Sequence, residues 1–235
     1  MHRFFVDSST INGNSFSSTD KDLCHQISKV LKMRAGKLVI LCDNTEHEYQ
    51  AQWVTVSRSV CEAEITKTTH VLDISSAKAI HLYVPPLKNQ ARWELILEKC
   101  TEIGIASYTP LLTDRTEVES LRKPERLERI IKEAAEQSGR TKLPTINPPM
   151  TLEECLANEG ANLIASLEEN SQTIPKTLST MNTEHSIINL YIGPVGDFTP
   201  EELENTSEHN FYSISLGKQI LRTETAAIVA AVLCL

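Results

Sequence analysis

The stretch SLGKQILRTETAAIVAA, residues 215–231, ends an apolar run on a glycine turn and then passes through Leu-Arg-Thr-Glu-Thr-Ala into an alanine-rich helix. Upstream, YIGPVGDF, residues 191–198, closes another apolar run on a turn of its own. Plain strand-to-helix connections read this way, and so does a nucleotide-like ligand held by backbone. Gly193 and Gly196 bracket a proline, and the missing Cβ atoms let backbone come close to a ligand. Thr199-Pro200-Glu201-Glu202 then starts a helix, with Thr199 as N-cap, Pro200 at the first helical position and Glu202 completing a capping box. The spacing is neither G-x-G-x-x-G nor a Walker loop, so neither a dinucleotide nor a nucleoside triphosphate is indicated.

Working outward, the pattern from about residue 76 is strand, helix, strand, helix. AIHLYVP is a buried strand. RWELILEKCTEIG places Trp93, Ile96, Leu97, Cys100 and Ile103 on one helical face, with Gly104 as the stop. IASYTPLL is the next strand, and PERLERIIKEAAEQSG the next helix, with Pro124 in its first turn and Leu127, Ile130, Ile131 and Ala134 inward. Glu125 with Arg129 and Glu128 with Lys132 form i,i+4 pairs, and Gly139 ends the helix. LIASL, IINLYIG and FYSISLG follow, each before a turn. This alternation predicts an α/β fold with a mostly parallel sheet and helices on both faces. Ligands of such sheets gather beyond the strand carboxyl ends, here VPP, LEEN, GPVGDF and SLGKQILR.

Residues 1–72 read differently. RFFV and KLVILCD are apolar runs, YQAQWVTVSRSVCEAEIT alternates as a hairpin with Ala51, Trp53 and Thr55 at one parity, and DLCHQISKVLKM sets Leu23, Ile27, Val30 and Leu31 at helical spacing. A small β-rich barrel with one inserted helix is predicted, with a second domain over 73–235.

Composition bounds the function. The chain has 235 residues, is 40% apolar and 23% charged, and is globular in character. Six scattered cysteines form no C-x-x-C pair and fit reduced thiols. The seven histidines (His2, His25, His47, His70, His81, His185 and His209) show no ligand spacing, so no metal is expected. The start lacks a secretory core and the apolar end is too short to cross a bilayer, so the expected location is cytoplasmic, with no membrane partner. The net charge of −8 is concentrated in residues 143–211, which hold one base and eleven acids. A basic patch can therefore lie elsewhere; KVLKMR at 29–34 and the Arg/Lys set from Arg115 to Lys142 are candidates for a nucleic acid backbone. Each reads equally as a solvated helix face.

The segments HRFFV, HQISKVLKMRAG, ILEKCTEIG, EAAEQSGR, IGPVGDFTPEE and SLGKQILRTETAAI, in this order, resemble the 16S ribosomal RNA uracil-N3 methyltransferases, a branch of the SPOUT superfamily. The resemblance implies a small PUA-like RNA-binding β-barrel followed by a SPOUT-type parallel sheet with a trefoil knot. It implies a homodimer that binds S-adenosylmethionine and methylates N3 of a uridine of 16S rRNA in the small ribosomal subunit. On it, Leu167, Gly193, Pro194, Gly196, Ser215, Leu216, Gly217, Ile220 and Leu221 would line the cofactor site. Arg222 would hold RNA phosphate or a uracil carbonyl, and Glu224 would carry catalytic charge or stabilise its own helix start. Arg3, Lys29, Lys32, Arg34, Gln137 and Arg140 would contact RNA. The family turn reads Gly-Pro-Glu-Gly-Gly-Phe; here Val195 replaces the acid, Asp197 the second glycine, and Gln219 an arginine common in the family. A non-catalytic RNA-binding assembly factor on the same fold, or a methyltransferase for another RNA, are the alternatives.

Overall fold

A computed structural model of the chain describes residues 1–167, 171–180 and 187–235. His185 and three residues of the LEEN tail fall outside them. The described residues group into two units, Met1–Asp73 with Ala135–Leu143, and Ile74–Ala134 with Pro144–Leu235. The composition shift near residue 72 gives no sign that 135–143 returns to the first unit.

The first unit contains β1 (His2–Phe5), β2 (Ile11–Asn12), β3 (Ser15–Ser18), α1 (Lys21–His25), β4 (Leu38–Cys42), β5 (His47–Val56) and β6 (Cys61–His70). They form one sheet in the order β1-β4-β5-β6-β3-β2. β1 pairs parallel to β4, and the other pairings are antiparallel. The alternation seen in the sequence sets Ala51, Trp53, Ala63 and Ile65 on the inner face. Trp53 is the centre of that core, with the Phe4 and Phe16 rings edge-on at 6.2 and 5.9 Å, each such pair adding about 0.5–1.5 kcal/mol beyond area burial. Asp20 caps α1 through the amides of Asp22 and Leu23. The predicted helix does not continue as an α-helix, because residues Gln26–Val30 widen into a π-turn in which Leu31 N donates to Gln26 O. Widening rotates the following residues, so Val30, expected inward, is 64% exposed.

The second unit contains α2 (Ile74–Ala77), β7 (Ala79–Val84), α3 (Gln90–Ile103), β8 (Ser107–Leu112), α4 (Pro124–Ser138, whose last turn belongs to the first unit), β9 (Thr145–Ile146), β10 (Met150–Thr151) and α5 (Leu152–Cys155). It continues with β11 (Ala161–Ala165), β12 (Gln172–Thr173), α6 (Ile174–Thr180), β13 (Ile187–Tyr191), α7 (Pro200–Ser207), β14 (Phe211–Ser215) and α8 (Thr223–Leu233). Its sheet runs β10-β8-β7-β13-β11-β14-β12, with β9 beside β8. The pairings are parallel, as the alternating pattern predicts. α3 buries Trp93, Ile96, Leu97 and Cys100 and stops at Gly104 in the left-handed region. The small face Ala226, Ala227, Ala230 and Ala231 lets α8 pack closely against α3. The i,i+4 pairs expected in α4 are replaced: among the described residues Arg129 reaches Glu133 at 3.9 Å, and Arg126 leaves the helix for Glu94 at 2.6 Å. Exposed pairs within a helix gain little, so an acid on another element that offers both carboxylate oxygens competes well for such a side chain. No helix of the described residues is long and apolar enough to cross a membrane.

Candidate functional site

Tyr191 stands in register with Ile164, and Ile164 with Ser213, so β13, β11 and β14 end side by side. Their exits, with Leu87 after β7, enclose a cavity of about 500 Å³. This is the carboxyl edge of the sheet, where strand order departs from chain order and loops diverge to leave a crevice. The volume lies within the usual range for small-molecule sites. Leu167, Gly193, Pro194, Gly196, Leu216, Gly217, Ile220 and Leu221 all line it, together with Arg222 and Glu224. Ser215 does not line it; its hydroxyl accepts from Gly217 N at 3.3 Å and fixes the start of that loop.

Backbone geometry explains the glycines. Asp197 N donates to Pro194 O at 3.0 Å, closing a turn whose third residue, Gly196, has φ +98°; this is the type II turn that requires glycine there. A Cβ on Gly193 would stand 2.8 Å from Asp197 Oδ1 and 3.2 Å from the Phe198 ring, so the closeness of the turn to its own strand depends on that hydrogen. At Gly217, φ is +122° and a Cβ would meet nothing within 4 Å, so glycine is needed there for its dihedral alone. Asp197 occupies the left-handed region at φ +63°, and its carboxylate accepts from Phe198 N at 2.9 Å. Val195 is exposed at the rim.

The start of α8 forms the other wall. The Thr223 hydroxyl donates to Gly193 O at 3.3 Å, joining the two loops. Arg222 is the N-cap residue, makes no side-chain cap and is exposed. Glu224, in the first turn, is 7% exposed and faces Arg92 of α3, with Arg92 Nε 3.4 Å from Glu224 Oε1. A cation free to meet a ligand thus stands two residues from a carboxylate already held by the fold and by the helix dipole. Nothing in the sequence points to Arg92 or Leu87. Ser166 and Ile192 directly precede Leu167 and Gly193, and Thr223 lies between Arg222 and Glu224, so adjacency to named residues is their signal.

The residues expected on RNA separate into two groups. Lys29, Lys32, Arg34 and Gln137 are exposed on the first unit. Arg3 is turned inward to Glu48 at 2.6 Å and to Cys42 Sγ at 2.9 Å. Arg140 is a correction: it is 5% exposed, and its Nη2 lies 2.7 Å from Asp73 Oδ1. That carboxylate also accepts from Thr141 N and Lys142 N, each at 3.1 Å. A guanidinium so enclosed holds the chain together and does not reach a phosphate. Among the described residues no group of His, Cys, Asp or Glu is placed to hold a metal ion.

Comparison with known proteins agrees with this geometry. Residues 75–234, which include the parallel sheet, the cavity and α8, match the RNA methyltransferase domain, so the site defines an enzyme that methylates RNA. A ribosomal RNA small subunit methyltransferase E of Synechocystis is 32% identical over 212 residues, covering 88% of this chain and 68% of the relative. One from Rickettsia conorii is 28% identical, covering 97% and 93%. The crystal structure of a ribosomal RNA small subunit methyltransferase E from Neisseria gonorrhoeae bound to S-adenosyl methionine superposes with a TM-score of 0.86 at 26% identity, covering 98% of this chain and 95% of that one. The chain belongs to the family of ribosomal RNA small subunit methyltransferases E.

Proposed function

We propose that this enzyme transfers a methyl group from S-adenosylmethionine to N3 of one uridine in 16S rRNA of the small ribosomal subunit, acting in the cytoplasm as a homodimer. The observation that carries the reading is the cavity of about 500 Å³ between glycine turns, with Arg222 free at its rim. S-adenosylmethionine supplies an electrophilic methyl on a sulfonium. Apolar Leu167, Ile220 and Leu221 suit the faces of an adenine, and the backbone exposed by Gly193, Gly196 and Gly217 suits its polar edge and the methionine ends. The pocket's part in the chemistry is orientation: it would hold uracil N3 in line with the methyl carbon of a bound donor, whose sulfonium would leave as the neutral thioether, and the N3 proton would pass to solvent water. Arg222 steadies the charge that develops on the uracil carbonyls. N3 of a paired uracil is occupied, so the substrate uridine is unpaired or flipped out.

A trefoil knot over the cofactor loops and a PUA-like barrel in residues 1–72 are supported by the parallel sheet, by the compact sheet of the first unit and by the family likeness. Lys29, Lys32, Arg34 and Gln137 are the residues left to meet RNA phosphates. Exposed Leu95, Val232 and Leu233 on α3 and α8 support pairing of two copies.

The test is methyl transfer from labelled S-adenosylmethionine to small subunits lacking the modification, with mass-spectrometric mapping. A single N3-methyluridine in 16S rRNA is the expected product; a methyl on another base or another RNA would replace the substrate reading. Gly217→Val is expected to weaken S-adenosylmethionine binding at least about tenfold, because a β-branched residue does not adopt φ +122° without strain. Calorimetry checks it; the same strain, about 1–3 kcal/mol, should lower the melting temperature by a few degrees and leave the chain folded.

A further inference from the structure

Arg115 lies outside the cavity, in the connection from β8 to α4, and the sequence groups it with surface bases. The structure gives it a different environment. Residues 113–116 form a tight turn: Thr116 N donates to Thr113 O at 3.0 Å, and Thr113 N donates back to the Thr116 hydroxyl at 2.9 Å. Arg115 projects from it, and its Nη1 donates to the carbonyl oxygen of Gly196, to that of Phe198 at 3.2 Å and to that of Asp197 at 3.3 Å. Three consecutive carbonyls converge on one cation because Gly196 and Asp197 both have positive φ. Three carbonyl oxygens so close repel one another, and a positive group between them offsets that repulsion.

A second link runs in the opposite sense. The Glu202 carboxylate accepts from Asp114 N at 2.9 Å and from Thr199 N at 2.7 Å. Cation into carbonyls and carboxylate into amides lock the 113–116 turn to the 194–199 turn, which forms one wall of the cavity.

We propose that Arg115 is a positioning residue for the methyl-donor loop, holding Pro194, Gly196 and Asp197 in the shape that receives the donor before it arrives. The proposal rests on the methyltransferase reading of the cavity. It accounts for the tolerance of Asp197: a non-glycine residue in the left-handed region carries a cost of about 1 kcal/mol or more, and the clamp on the flanking carbonyls offsets it.

The experiment compares Arg115→Ala, Arg115→Lys and, as a charge-matched control from the same connection, the exposed Arg122→Ala. Amide hydrogen exchange over residues 194–199 is read in the full chain without donor, and KM for S-adenosylmethionine and kcat are read separately. Arg115→Ala is expected to speed exchange in that segment about tenfold and raise KM about fivefold, a modest effect because the side chain is solvent-exposed. Arg115→Lys should recover part of both, and Arg122→Ala should leave exchange unchanged. Unchanged exchange in Arg115→Ala, or an equal effect in Arg122→Ala, overturns the proposal. Because exchange is measured without donor, a chain that failed to bind S-adenosylmethionine would overturn the reading of the cavity while the exchange rates still tested the clamp.

Discussion

Arg140→Ala is expected to destabilise the first unit by about 3–5 kcal/mol, the loss typical when one member of a buried ion pair is removed. The side chains of Arg140 and Asp73 are 3% and 1% exposed, and the pair spans 67 positions of sequence. Deleting the guanidinium leaves the enclosed carboxylate with backbone amides, those of Thr141 and Lys142 among them, but without the cation it was built around. The damage arises from that stranded charge more than from the bond itself. Replacing both residues together, Asp73→Asn with Arg140→Met, removes both charges while keeping an acceptor for the amides of Thr141 and Lys142, and should therefore cost less than Arg140→Ala alone. A double-mutant cycle by urea denaturation checks this; singles that add up to the double would mean that the two groups do not act as a pair.

The second large effect is catalytic. Arg222→Ala should lower kcat on ribosomal subunits by about a hundredfold or more, the loss found when a donor to developing charge is removed. S-adenosylmethionine affinity should change little, because the guanidinium makes no cap to α8 and the cavity's apolar and glycine walls remain. Arg222→Lys should recover only part of the rate, since an ammonium lacks the planar fork that suits a carbonyl or phosphate. An equal fall in donor affinity and rate would move Arg222 out of substrate binding and into the cofactor site.

What the sequence discloses and what it hides divides by range. The capping box at Thr199 and Glu202, the stop at Gly104 and the inward face of α3 are set by residues a few positions apart, and the structure repeats them. The cavity was legible because parallel strands end on one edge, which makes the tails of separate apolar runs neighbours. The features not legible are those joining distant segments. Arg115 lies 81 residues from Gly196, and Asp73 lies 67 from Arg140. Neither pairing leaves a mark on local periodicity, and both arginines looked like surface bases available to RNA. The π-turn after α1 is local yet equally hidden, because Leu23, Ile27 and Leu31 keep helical spacing while the bonding shifts, Leu31 N to Gln26 O and Met33 N to Ile27 O.

The six free cysteines are all buried. Burial pushes up the thiol of Cys42, to about 11, where the nearby Arg3 offsets part of the rise, and those of Cys155 and Cys234, to about 12. Cys24, Cys42 and Cys61 lie in the first unit, and Cys100, Cys155 and Cys234 in the second. An alkylating reagent at neutral pH therefore finds almost no thiolate to attack until a unit opens. The chain carries its own internal clocks, three to each unit. Peptide-resolved alkylation would time the opening of the first unit and of the methyl-transfer unit separately, with no label introduced.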